Sequence, residues 1–143
     1  MILSDEIQSI AEDAGLDPVY GEKWQQSYVG DSLNYPALFL DPVEFTQADL
    51  GSDKSYNDLS MFICYDSAIN EMHSFYAQKI ADSLVKAYEV LGALESRRAA
   101  NGTRIIKSLT NIRVSEVQQI AIYDIPLTGV AVTFNIVAHA DRC

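Results

Sequence analysis

The sequence predicts an α+β domain in which one antiparallel or mixed sheet of four to five strands packs against a long central helix and a short N-terminal helix. Three observations carry this prediction. A long segment after residue 66 repeats apolar residues at steps of three and four, the last segment alternates apolar with other residues, and further strand-like segments lie on both sides of the long helix. With 143 residues, 48% of them hydrophobic and 21% charged, the chain is the size of one domain, residues 1–143.

The short helix lies at the start of the chain. Ser4 is placed to cap it and Gly15 to end it, because serine satisfies free amides at a helix start and glycine adopts the left-handed conformation that follows a helix end. Its apolar face consists of Ile7, Ile10, Ala11 and Ala14. Its carboxylates are expected to form a solvated face: Asp5, Glu6, Glu12 and Asp13.

The long helix is predicted to begin after Asp66 or Ser67 and to exceed thirty residues, so that it spans the domain. Its apolar positions are Ile69, Met72, Tyr76, Ile80, Leu84, Tyr88, Leu91 and Leu94. Arg97 and Arg98 are expected in its last turns, where cations meet the negative end of the helix dipole, and Asn101-Gly102 is expected to supply the left-handed stop.

The strands are predicted from alternation and from breaking residues. Residues 35–40 read as a strand ended by Asp41-Pro42, residues 59–66 as a second strand, and the segment from Phe45 to Tyr56 as a polar loop between them. Residues 16–34 fit an irregular arm or a weak strand. The segment from Arg104 to Asp124 fits two strands or one long bent strand. The final strand has a clean apolar face: Val130, Val132, Phe134, Ile136 and Ala138.

The net charge of −10 is divided very unevenly along the chain. Residues 1–66 contain thirteen acidic residues against Lys23 and Lys54, which gives −11, whereas residues 67–143 contain seven acidic and eight basic residues, which gives +1. A chain divided in this way is suited to present opposite charges on different faces, which favours contact with copies of itself or with a complementary partner. Solubility alone is the other explanation of such a charge.

No segment has the pattern of a catalytic, cofactor-binding or metal-binding motif. The seven glycines form neither a nucleotide phosphate loop nor a dinucleotide fingerprint, and His73 and His139 are too few for a triad or a zinc site. The terminal series His139, Asp141 and Cys143 is expected to be a frayed chain end, and the acidic segment 49–53 a solvated turn. We therefore predict no catalytic residue, no cofactor and no metal, and an enzyme ranks last among the classes considered.

Export and membrane insertion are not expected. The first residues are acidic, and the most apolar window, Pro126 to Ala140, is too short to span a bilayer. In a reducing compartment Cys64 is expected to keep a free thiol and to pack in the core. Asn101-Gly102-Thr103 is better explained as a turn than as a glycosylation site.

The chain resembles the tail-terminator and neck proteins of tailed bacteriophages. The resemblance lies in the order of elements, in Tyr35-Pro36-Ala37-Leu38-Phe39-Leu40 before the long helix, and in Leu127-Thr128-Gly129-Val130-Ala131-Val132-Thr133-Phe134 in the last strand. It implies a virion protein, made in the host bacterial cytoplasm, that forms a ring at the head-tail junction or tail end. The same resemblance implies a sixfold or twelvefold ring. It also implies portal, connector or tail-tube proteins as partners, and DNA that passes through the ring without specific binding.

A head-to-tail contact between copies is the hypothesis for the subunit interface. Acidic residues of one copy would meet a basic cluster of the next, and the residues involved are Asp41, Glu44, Asp49, Asp53, Asp58, Arg97, Arg98, Arg104 and Lys107. The alternative function is that of an acidic DNA mimic, or another binding module, that blocks a DNA-binding enzyme. Because the chain is strongly acidic, nucleic acid is not expected as a direct ligand of the basic cluster.

Overall fold

The computed structural model describes residues 3–20, 35–41, 47–48, 54–66, 73–98, 102–121 and 126–138. These ranges hold two helices and six strands: α1 Leu3–Asp13, β1 Asp17–Tyr20, β2 Ala37–Leu40, β3 Gln47–Ala48, β4 Lys54–Asp66, α2 His73–Ser96, β5 Ile106–Ala121 and β6 Pro126–Ala138. The predicted α+β class, with a short N-terminal helix and a longer central helix, is confirmed.

The strands form one mixed sheet in the order β1-β2-β4-β6-β5, and the two-residue β3 pairs with β4 beside this path. β1 runs parallel to β2, and the other described pairs are antiparallel. The main path therefore has five strands, the larger of the two numbers that the sequence predicted. β1 and β5 are the two edges of this path, and β6 lies between β4 and β5 near its centre.

Both helices pack on one face of the sheet, where the main core lies. The alternating residues of β6 all point into this core and are at most 1% exposed, as the sequence predicted: Val130, Val132, Phe134, Ile136 and Ala138. Ile7 and Ile10 of α1 and Leu94 of α2 pack in the same cluster. Since each such side chain contributes about 1.5–3 kcal/mol by leaving water, this layer provides most of the stability.

A smaller apolar cluster lies on the opposite face of the sheet. It contains Phe39 and Cys64, and the rings of Phe39 and Phe62 stack with their centroids 6.3 Å apart. Cys64 is fully buried and its thiol is free, which confirms the prediction that it packs in the core. Cys143 lies outside the described residues.

Gly129 allows the two longest inner strands to approach each other closely. It stands opposite Cys64 in the β4–β6 register, and a Cβ atom built on it would lie 2.0 Å from the carbonyl oxygen of Ile63 and 2.7 Å from the Cα atom of Cys64. A side chain at this position therefore collides with backbone, which has no flexible end that could move away. The close approach of the two strands requires glycine at this position. A left-handed φ is not the reason, because the φ of Gly129 lies outside that region.

β5 is one long irregular strand, which decides between the two alternatives left open by the sequence. Its register with β6 shifts at three places, between Ile106 and Ser108, between Thr110 and Arg113, and between Val117 and Ile120. At each place β5 has one residue more than β6. Asn111 has a φ of 55° inside the second shift, as is typical of a β-bulge.

Three sequence predictions are corrected in detail, and one open alternative is decided. α2 ends at Ser96, so Arg97 and Arg98 follow the helix, and Gly102, with a φ of 86°, forms the turn toward β5 and not the helix stop. α1 begins at Leu3, so Ser4 is buried in its first turn. The expected loop 45–56 contains β3 and the start of β4 at Lys54. The weak strand considered for residues 16–34 is present as β1, Asp17–Tyr20.

Candidate interaction surface

The turn between α2 and β5 gathers the predicted basic residues at one corner of the domain. Arg98 and Arg104 form an isolated antiparallel bridge, and the amide of Ile105 donates to the carbonyl oxygen of Arg97 at 3.0 Å. The Arg98 guanidinium donates to the carbonyl oxygen of Gly102 at 2.7 Å. The Arg104 guanidinium donates to the carbonyl oxygen of Glu95 at 2.8 Å. Both cations thus bind main-chain oxygens at or after the negative end of a helix, which stabilises the turn.

Arg97 holds α1 against the end of α2. Its guanidinium donates to Glu6 Oε2 at 3.1 Å and to Ser9 Oγ at 3.0 Å, and it lies 3.5 Å from Asp13 Oδ2. All four carboxylates of α1 were expected to be solvated, and this is corrected for Glu6, whose side chain is largely covered, whereas Asp13 remains exposed. Arg97 belongs to the predicted interface set, yet its described contacts are all within the chain.

The remaining members of the predicted interface set lie on different parts of the sheet. Asp41 directly follows β2, is exposed, and donates its amide to the carbonyl oxygen of Ser60 at 3.1 Å. Asp58 is exposed on β4 with a φ of 57°, and its amide donates to Asn135 Oδ1 at 2.9 Å. Lys107 is exposed on β5. Glu44, Asp49 and Asp53 lie outside the described residues.

One transverse row of register partners links Asp41, which follows the inner strand β2, to Arg113 of the edge strand β5. The register places Ser60 of β4 opposite Thr133 of β6, and Thr133 opposite Arg113 of β5, while Asp41 hydrogen-bonds to Ser60. Three strand spacings separate the two ends, which is about 14 Å at the usual spacing. The carboxylate and the guanidinium are therefore held on opposite sides of the sheet and do not pair within one chain.

The two sides of the sheet differ in charge among the described residues, although the β1 side also holds a cation, Lys86, whose Nζ donates to the carbonyl oxygen of Ala14 at 2.7 Å. On the β1 side, Glu12, Asp17 and Asp41 are acidic, and Glu12 and Asp17 line a shallow depression with Pro18 and Tyr35. On the β5 side, Lys107 and Arg113 are basic, and Glu116 is the acidic residue of β5. The uneven charge along the sequence thus corresponds in part to an uneven charge across the sheet.

The central part of β5 is exposed to solvent. Every residue from 110 to 116 is exposed, although this stretch pairs with residues of β6 that are buried or half-buried. Ile112 is 46% and Val114 38% exposed, which is unusual for large apolar residues in a strand. Arg113 has no ion-pair or hydrogen-bond partner among the residues the structure describes. This exposed stretch of β5 carries two large apolar side chains and a cation that has no partner in the described part of the chain.

The titratable groups with displaced pKa values occupy structural positions. Burial, with a smaller contribution from the Asp66 carboxylate, raises the pKa of the Cys64 thiol, so the thiolate needed for a nucleophile is not formed at neutral pH. Partial burial, with the carboxylates of Asp82 and Glu89, raises the pKa of Tyr65. Within the described ranges, no group of three or more His, Cys, Asp or Glu side chains is arranged to hold a metal ion.

The sequence did not point to Arg113 or to the exposed stretch of β5. Alternation predicted strand there, but alternation alone does not say whether a strand lies at the edge of a sheet or at its centre. Asn111 beside Ile112 was an available signal, because asparagine tolerates the left-handed conformation of a bulge. The side chains of His73 and His139 lie outside the described ones.

Comparisons with known proteins leave the identity of the chain open. No protein-family model matches it, and a search of curated proteins found no significantly similar sequence. Among the described residues, no helix is both long and apolar enough to cross a membrane.

Proposed function

We propose that this chain is a structural subunit of a ring at the head-tail junction or tail end of a tailed bacteriophage, acting as a tail terminator, neck or connector protein. The observation that carries the proposal is the difference in charge between the two sides of the sheet, with Asp41 and Arg113 linked by one transverse row of register partners. Surfaces of opposite sign on opposite sides of a subunit favour head-to-tail contact, and such contact closes into a ring when the rotation between copies permits it.

Passage of DNA through such a ring agrees with the net charge of −10. A wall that repels phosphate lets a duplex slide without sticking, because affinity for nucleic acid depends on neutralising phosphates with basic residues. The resemblance to tail-terminator and neck proteins implies portal, connector or tail-tube proteins as neighbours and a place in the virion.

The experiment is electron microscopy of the purified chain, alone and mixed with the portal, connector and tail-tube proteins of the same genome. The proposal expects six- or twelvefold rings with a central opening, and stable binding to at least one of these proteins. A chain that forms no ring and binds none of them contradicts the proposal.

An acidic DNA mimic is the second candidate, and the charge of −10 is the observation that favours it. A DNA mimic acts by occupying the DNA-binding surface of an enzyme, so it needs no ring. Inhibition of a nuclease by a monomer or dimer of this chain, relieved by added DNA, would favour the mimic over the ring.

A further inference from the structure

Neither outer edge of the main sheet path is suited to extend the sheet into a neighbouring molecule. In β1 the amide of Asp17 donates inward to the carbonyl oxygen of Pro36 at 3.1 Å. Alternate residues direct their amides to opposite sides of a strand, so Pro18, which has no amide hydrogen, takes a position that faces away from β2. In β5 three register shifts interrupt its ladder with β6. Since bulges and proline are the usual protection of edge strands, contact at these edges has to come from side chains.

The side chains at the two edges are complementary in charge. Arg113 lies in the exposed stretch of β5 and has no partner among the described residues, whereas Lys107, on the same strand, has an interaction of its own. On the opposite side lie Asp41, whose described hydrogen bond uses only its amide, and Glu12 and Asp17 around their shallow depression. Oppositely charged groups on distinct surfaces select a partner and fix its orientation.

We propose that the exposed stretch of β5 in one copy, residues 110–116, docks against the acidic β1 side of a second copy. Arg113 of the first copy then lies opposite Asp41 of the second. The second copy is the occupant because the same chain supplies both charges, at the same level of the sheet and on opposite sides. Ile112 and Val114, half-exposed in the single chain, lose water in this contact. The contact is heterologous, because each copy gives β5 to one neighbour and Asp41 to the other.

This inference rests on the proposed ring and specifies its subunit interface. It differs from the interface expected from sequence, because Arg97, Arg98 and Arg104 already bind groups within their own chain. Asp41 is common to both. The interface is therefore tested by reversing charges at Asp41 and Arg113, away from the contacts that hold α1 and the α2–β5 turn.

The experiment compares the wild-type chain with Arg113→Glu and Asp41→Lys by sedimentation velocity at low ionic strength. Each single variant brings like charges together and is expected to associate at least about tenfold more weakly than wild type. An equimolar mixture of the two variants is expected to regain assembly, because each forms an attractive contact with the other. Glu89→Lys is the matched control for Asp41→Lys, since it makes the same change of charge on the exposed face of α2 and is expected to assemble like wild type.

Circular dichroism and thermal unfolding of each variant establish that loss of assembly is not loss of fold, because both positions are exposed. Single variants that assemble like wild type would overturn the interface while leaving the ring intact. Single variants that fail to assemble and whose mixture stays unassembled would also overturn the pairing of Arg113 with Asp41. A wild-type chain that remains monomeric at high concentration and in the presence of neck and tail-tube proteins would overturn both the interface and the ring.

Discussion

β6 and β5 are neighbouring strands with very different surroundings. Five alternate side chains of β6 are completely buried under α2, whereas β5 exposes every residue from 110 to 116. The difference arises from position, since β6 lies between two strands and β5 lies at the edge with three register shifts. The buried apolar residues of β6 stabilise the fold, as does Ile106 at the start of β5, whereas those within residues 110–116, such as Ile112, remain available for contact with another molecule. Alternation in a sequence therefore identifies a strand without identifying its role.

The largest effect is expected where β6 contacts β4 most closely. Gly129→Ala places a Cβ atom 2.0 Å from the Ile63 carbonyl oxygen and forces the two strands apart, so we expect a loss of about 4 kcal/mol or more in the free energy of unfolding. Urea denaturation measures this loss. The control is Gly92→Ala on α2, where the added methyl meets nothing within 4 Å and a gain of about 0.5–1 kcal/mol is expected. Equal stability of the two variants would contradict the proposed close approach.

Truncating one large side chain on each strand tests the comparison directly. Phe134→Ala removes a ring that is 1% exposed and is expected to cost about 3–4 kcal/mol, because it leaves a cavity in the core. Ile112→Ala removes a side chain that is 46% exposed and is expected to cost less than about 1 kcal/mol. Denaturant unfolding of both variants under conditions where the chain is monomeric gives the two values. Similar losses would mean that β5 belongs to the core.

The pH dependence of stability tests the burial of Cys64, which faces Gly129. A thiol whose folded-state pKa lies above its unfolded value of about 9 stabilises the fold fully below that pH, and the stabilisation is lost as pH rises above it. We expect the free energy of unfolding to fall by up to about 1.4 kcal/mol per pH unit above pH 9. Raised pKa values elsewhere, such as that of Tyr65, act in the same direction.

Cys64→Ala separates the thiol from these other groups. The variant lacks the buried acid, so its unfolding free energy is expected to fall less steeply with pH than that of wild type in the same alkaline range. Urea unfolding at several pH values compares the two slopes. Identical slopes would show that Cys64 ionises as easily in the folded chain as in the unfolded one.

The smallest effect distinguishes a cation held within the chain from a cation left free on β5. Arg97→Gln removes the contacts to Glu6 and Asp13 and is expected to cost about 1 kcal/mol, since the pair is only partly screened by solvent. Arg113→Gln is expected to leave the stability of the monomer within about 0.3 kcal/mol of wild type. Thermal and urea unfolding measure both. A loss for Arg113→Gln as large as that for Arg97→Gln would mean that Arg113 is also held within the chain.

The periodic parts of the fold were predictable from sequence because their periodicity reflects burial. The apolar faces of α1 and of β6, and the free buried Cys64, appear in the structure as predicted. The end of α2 was placed too late, because Arg97 and Arg98 suit a helix end equally well as residues of the following turn. Nothing local distinguishes these two positions.

Interactions between distant segments were outside what the sequence alone could predict. Arg97 is separated from Glu6 by 91 positions, so the contact depends on the packing of α1 on α2. The transverse row that links Asp41 and Arg113 depends on the registers of three strand pairs, two of which contain register shifts. The uneven charge along the chain suggested opposite faces, but only the order of strands places those charges on opposite sides of the sheet.

The mass of the purified chain in solution, measured by native mass spectrometry and by sedimentation at low and at high salt, tests the central claim most directly. The account predicts closed oligomers of six or twelve copies at low ionic strength, and their dissociation near 1 M salt, where charges are screened beyond about 3 Å. A chain that remains a monomer at every protein concentration, or an oligomer whose mass does not respond to salt, would contradict assembly through oppositely charged sides of the sheet.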